Sequence, residues 1–397
     1  LASKVIRMIA GQFLGLDSTI TSVAGKIATK MKMSEAKVVA SLKGIAAGTA
    51  IAAAGFVALA VAFGPPVKKA AELEDIMFMI RQKTRMGVEE LEGLRMSFIR
   101  LSSDLPLSAV ELAKVGIIAG QMGIHTAEAI ETLAFQAAKF AKTTTFTEEE
   151  AAKALARLSN IFQMPIDQAE NLASAMVLMA NTSTAQASDL FEITKRFGAM
   201  GKTIGLTAAE AVAFSAVLID AGVTSEVAGS SMNKIIDQMA TKTKEFGAQL
   251  GMSASQFQEF LGKKPAEAMT AFFQSFEGMG KFQVIERLNQ LGLRSVRVRQ
   301  SVLGLAAQAG KLTDKIKESS QAFRDATELN RAYEDLTKSL NARMDILKGS
   351  FDNMLIIIGH HLIPIVKKFV DLGIEFLDWF ANLDPGIQKF LTFAFVG

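Results

Sequence analysis

The sequence has no cysteine, one tryptophan, one tyrosine and three histidines. The missing thiols exclude disulfide staples and thiolate-held metals, and leave the redox compartment undetermined. The imidazoles are His125, His360 and His361. His125 sits beside a helix start, in a capping or loop role. His360 and His361 are adjacent, so on a helix they point about 100° apart and do not converge on one ion. Asp371 and Glu375 lie too far along to complete a ligand set. No metal and no cofactor is expected. The phosphate-loop pattern and the serine nucleophile elbow are both missing. The glycine-rich stretch AGVTSEVAG at 221–229 follows no strand signal, and Lys234 comes too late for a phosphate cradle. It reads as a loop between helices. Alternating strand patterns are nearly absent too.

The charges almost cancel: 43 basic against 40 acidic residues give a net +3, so the whole chain is no polyanion binder. Arg294, Arg297 and Arg299 form the one compact basic cluster of the second half, without interleaved aromatics for base stacking. Non-specific DNA contact is the most that such a cluster offers.

What is abundant is helix vocabulary. The chain is 50% hydrophobic, with 19 Met and 27 Phe in 397 residues, enough for two or three domains. Ser108 with Glu111, Thr147 with Glu150, Thr207 with Glu210 and Ser253 with Gln256 fit the capping box, in which hydroxyl and Glu or Gln satisfy a helix's first N–H groups. Asp167 with Glu170 repeats the spacing with an Asp cap. Helix starts are expected near 108, 126, 147, 167, 185, 207, 224 and 253. Glycines punctuate the run, among them Gly120, Gly123, Gly198, Gly201, Gly205, Gly222, Gly247 and Gly251.

The pattern divides the chain into five parts. Residues 1–43 form a basic amphipathic helix, and residues 44–67 an uncharged apolar helix. The second has the length of a membrane span, with close-packing small residues at Gly44, Gly48 and Gly55. It runs to Val67, and Pro65 and Pro66 are expected to end the helix. Residues 68–310 form a helical core of hairpins, too irregular in period for a true solenoid repeat. Residues 311–358 carry a heptad seam: Leu312, Ile316, Ser319, Phe323, Ala326, Asn330, Tyr333, Thr337, Leu340, Met344, Leu347, Phe351, Met354 and Ile358. As one helix it is a coiled-coil strand about 70 Å long, with Asn330 setting register between copies. The oligomer seam is assigned to Phe323, Asn330, Tyr333, Leu340, Leu347 and Phe351. Residues 359–397 are an apolar helical end, expected to be truncated from a longer polypeptide.

Several stretches in order resemble the TP901-type core region of phage tail tape measure proteins. They are residues 187–218, LIDAGVTSEVAGSSMNKII (218–236), LNQLGLRSVRVRQSVLGLA (288–306), and 347–390 with Gly359 and Pro364 in the family's spacing. Leu291-Gly292 lacks the Phe often seen before the arginines. Many relatives carry a peptidoglycan hydrolase domain; nothing here resembles one. The resemblance implies a non-enzymatic structural protein packed in the tail tube lumen or at the tail tip, a homo-oligomer, as a trimer. It implies contacts with tail tube and distal tail proteins, templating of tail length, and ejection with or before the DNA. The host membrane, perforated by the apolar segments, is a further partner.

The expected fold is all-α: an elongated string of helical hairpins, then a long coiled-coil helix, with apolar helices near both ends. A helical pore-forming or membrane-translocating toxin-like protein is the alternative reading of the same apolar segments.

Overall fold

The structure is a computed structural model, and it describes residues 64–382. The described residues are helical apart from turns and short connections, without a strand. In chain order they form α1 (residues 64–84), α2 (Val88–Asp104), α3 (Ala109–Gln121), α4 (Ala127–Thr143), α5 (Glu148–Phe162) and α6 (Ala169–Thr182). There follow α7 (Ala187–Thr203), α8 (Ala208–Asp220), α9 (Ser225–Thr241), α10 (Thr243–Gln249), α11 (Ala254–Lys263) and α12 (Pro265–Gln274). The last are α13 (Lys281–Gln290), α14 (Val296–Ala307), α15 (Ala309–Asp325), α16 (Glu328–Thr337) and α17 (Leu340–Ala381). Chain contacts divide the molecule into a core unit, Leu73–Asn353, and a second unit of Leu1–Glu72 with Met354–Gly397.

Local chemistry sets the helix starts. All four capping boxes close in both directions, as where Thr147 N–H donates to Glu150 Oε2 at 2.9 Å and Glu150 N–H to Thr147 Oγ1 at 3.3 Å. Asp167 is the exception. Pro165 and a 3₁₀ turn over Ile166–Gln168 delay α6, so Gln168 takes the cap position and Asp167 caps nothing. Glu170 is drawn instead into contacts with other helices. Pro65 and Pro66 lie in helical geometry rather than ending a helix. Proline's fixed φ suits a helix; what it forbids is a bond to the residue four back.

The core unit is a two-row stack. Consecutive helices pair as hairpins, α3 with α4, α4 with α5 and α7 with α8. Alternate helices also touch: α3, α5, α7 and α9 in one row, and α4, α6 and α8 in the other. The stacking of a solenoid thus arises without a regular repeat in the sequence. Alanine makes the rows close. Ala134, Ala137, Ala152, Ala173, Ala211 and Ala213 are fully buried where helices face each other. Gly198 lies in mid-helix, where a Cβ would stand 2.9 Å from Ile161; there glycine permits contact rather than breaking a helix. Gly222 does end a helix, with φ +77° after α8.

A boundary after residue 310 is not where the chain divides. α15 packs on α6 and α8, and α16 on α4 and α6, so the two close over the even-numbered row. Nor is 311–358 one helix. It is broken after Asp325, where Ala326 takes left-handed geometry (φ +53°), and again at Lys338–Ser339. The a/d pattern records an apolar face, and along α15 and α16 that face is met by helices of the same chain.

A second cluster holds α10 to α12: Phe246 and Phe272 lie 4.9 Å apart between ring centroids, and Phe272 and Phe276 5.1 Å. Replacing Phe272 with Ala is expected to reduce unfolding free energy by roughly 3–5 kcal/mol through the cavity it leaves. Thr147→Ala removes only a cap and is expected to reduce it by about 1 kcal/mol. Urea unfolding followed by far-UV circular dichroism checks the ranking.

Candidate assembly surfaces

No group of three or more His, Asp or Glu among the described residues is placed to share a metal ion. The rings of His360 and His361 lie 5.9 Å apart at 65°. Of the arginine cluster, Arg294 and Arg297 face solvent, and Arg297 reaches Glu226 at 3.7 Å. Arg299 turns inward, donating to Asn289 Oδ1 at 2.7 Å. The three do not form one basic surface. Ser225–Gly229 is the first turn of α9, which leaves no glycine-rich loop to cradle phosphate.

Chemistry concentrates instead where α15 and α16 meet the even row. Asn171 of α6 donates to Phe323 O at 2.6 Å and so satisfies a carbonyl at the end of α15. Ser174 of the same helix accepts the Leu329 N–H at 3.2 Å, a cap that α16 does not supply from its own sequence. Asn330 Nδ2 donates to Glu170 Oε1 at 2.5 Å, and Lys139 Nζ to Asn330 Oδ1 at 2.7 Å. Gln136 donates to the other Glu170 oxygen at 3.2 Å. Ser319 donates to Ala209 O at 2.7 Å, fixing α15 on α8. Burial lowers the Lys139 pKa, while the Glu170 and Glu334 charges oppose the shift.

Of the assigned seam residues, Phe323 is half-buried, Asn330 bonds within its own chain, and Tyr333 is buried with its hydroxyl donating to Asp104 O at 3.3 Å. Asn330 as a register residue between copies is therefore corrected: a polar side chain leaving water needs partners, and α4 and α6 provide them. The other three, Leu340, Leu347 and Phe351, stand open at 74%, 63% and 57% exposure. Met344 continues their stripe along α17. The opposite face of this segment is tied down. Asn353 Nδ2 donates to Ile99 O at 3.3 Å, and Gly349 lies against the backbone of Ser102 and Leu107. Of the receiving side chains, Gln136, Lys139, Asn171 and Ser174 did not stand out in the sequence, and Glu170 did so only as a capping partner of Asp167. Their signal is polarity on otherwise alanine- and leucine-rich helix faces.

The second unit brings together Gly359 and Pro66. At Gly359 the α17 backbone touches the Pro66 carbonyl and Ala70, leaving no room for a side chain. Of the membrane-segment residues, Val67 is partly exposed in α1. Gly44, Gly48 and Gly55 lie outside the described residues, as do residues 1–43 and 383–397. Among the described residues, Leu340–Lys368 is a helical stretch long and apolar enough to cross a membrane by length and composition.

A family profile described as phage-related minor tail protein matches residues 95–292, from within α2 to just past α13. A tape measure protein of Pneumococcus phage Dp-1 is 21% identical over 354 residues, 88% of this chain and 30% of that protein. A probable tape measure protein of Halomonas phage phiHAP-1 is 25% identical over 220 residues, 52% of this chain and 26% of that protein. By sequence the chain is similar to phage-related minor tail proteins and to phage tail tape measure proteins. No solved structure matches it significantly. The chain spans less than a third of the length of these two curated relatives.

The single tyrosine makes the α16 contact measurable. Burial, and then the Asp104 charge, push Tyr333 up to about 12 from 10.0. A pKa raised on folding adds stability that is whole below the unfolded value and is lost as pH climbs to the folded one. Absorbance at 295 nm is expected to titrate near pH 12 in the native protein. Asn330→Asp, which sets a second carboxylate against Glu170, is expected to move the midpoint toward 10 by loosening α16. An unchanged midpoint in that variant refutes the docking.

Proposed function

We propose that this chain is a non-enzymatic part of a tape measure protein and acts as a structural plug at the tip of the tail. Its copies associate through the open stripe of α17, and it contacts tail tube and distal tail proteins. The carrying observation is that α15 and α16 fold back over the hairpin row while Leu340, Met344, Leu347 and Phe351 stay open. A straight helix advances about 1.5 Å per residue. Hairpins double back and advance far less, so length templating belongs to other parts of the protein.

Removing seven residues from α15 tests this. A ruler shortens the tail by about 10 Å per heptad; the plug reading expects unchanged length in assembled tails, read by electron microscopy. Leu347→Asp with Phe351→Asp is expected to leave the monomer folded and to reduce tail assembly at least tenfold. Tails that shorten by a heptad's rise, or assemble normally with the charged stripe, overturn the proposal.

A second reading rests on Leu340–Lys368, whose length exceeds the roughly 30 Å bilayer core. On ejection this helix enters the host membrane, the property shared with the pore-forming alternative. Dye release from anionic liposomes by the full chain, reduced by Ile357→Lys, is the expected result. Equal release by both proteins removes the reading.

A further inference from the structure

A cleft of about 350 Å³ opens in the core unit where the connections after α5 and α7 meet α15. Its walls include Phe162, Met164 and Phe323, with Ala208 and Ala209 between them. Lys202 and Arg324 stand on it, each in the last turn of its helix. Among the described residues no carboxylate pairs with either cation. Arg324 Nη2 donates only to the neutral Gln321 Oε1, at 2.7 Å. The one carboxylate in the wall, Glu210, is occupied: its Oε2 accepts the Thr207 N–H at 2.9 Å. Thr207, Gln168 and Ser320 add hydrogen-bonding groups. The volume suits one large side chain and its neighbours. Apolar walls beside two cations without carboxylate partners select an apolar group that carries negative charge.

We propose that this cleft captures an acidic–aromatic segment of a partner protein. An aromatic ring rests against Phe162 and Phe323, and its flanking carboxylates take Lys202 and Arg324. The site is distinct from the α17 stripe, and the plug assignment can fail without affecting it.

The test is titration of the full chain with the tripeptide acetyl-Asp-Phe-Asp-amide, followed by calorimetry and by the ¹³C-methyl signal of Met164. The neutral acetyl-Asn-Phe-Asn-amide is expected to bind at least tenfold more weakly, as is the acidic peptide to Lys202→Gln or Arg324→Gln. Arg324→Lys restores part of the affinity. Ser320→Trp, which fills the cleft from its rim, abolishes binding while the Tyr333 titration stays native. Equal binding of both peptides, or binding that survives Ser320→Trp, overturns the proposal. So does displacement by inorganic phosphate at the peptide's own concentration, since that marks a plain anion site.

Discussion

Alanine-lined contacts between helices set the spacing on which the rest of the core unit depends. With alanine at many buried positions of α4, α5, α6 and α8, and glycine at Gly198 and Gly229 of α7 and α9, the rows α3–α5–α7–α9 and α4–α6–α8 approach closely enough to stack. That spacing decides where larger groups can go. Phenylalanines pack within the rows, where Phe140, Phe197 and Phe214 are fully buried, and beside them around Phe272. It also leaves a face on the even row broad enough for two further helices. α15 and α16 occupy it, and the polar side chains of α4 and α6 meet their ends.

The helix starts were legible because their chemistry is local. A hydroxyl and a carboxylate three residues apart act on the same turn wherever the helix lies, and α3, α5, α8 and α11 begin where Ser108, Thr147, Thr207 and Ser253 put them. Asp167 misled because Pro165 imposed a tighter turn in front of it. The heptad seam misled for a different reason. Periodicity reports which face of a helix is apolar and says nothing about what will cover it. Leu312, Ser319 and Tyr333 are covered from within the chain, and Leu340 and Phe351 are not. The break at Lys338–Ser339, with no glycine or proline to announce it, separates the two outcomes. The α15 cleft was invisible for a similar reason, since Phe162, Lys202 and Arg324 meet only after three separate helices end together.

Two surfaces of the core unit stand out from the rest. The apolar stripe of α17 and the cation-lined cleft differ in kind: one is greasy and periodic, the other small and charged.

The covering of the even row also has an order in time. Asn353 bonds to Ser102 and Ile99 across about 250 positions of sequence, and Leu329 to Ser174 across 155. On the ribosome, α4, α6 and α8 emerge well before the helices that shelter them. For that interval each nascent chain presents an oily shelf of its own making, the kind of transiently bare surface that makes unfinished chains sticky.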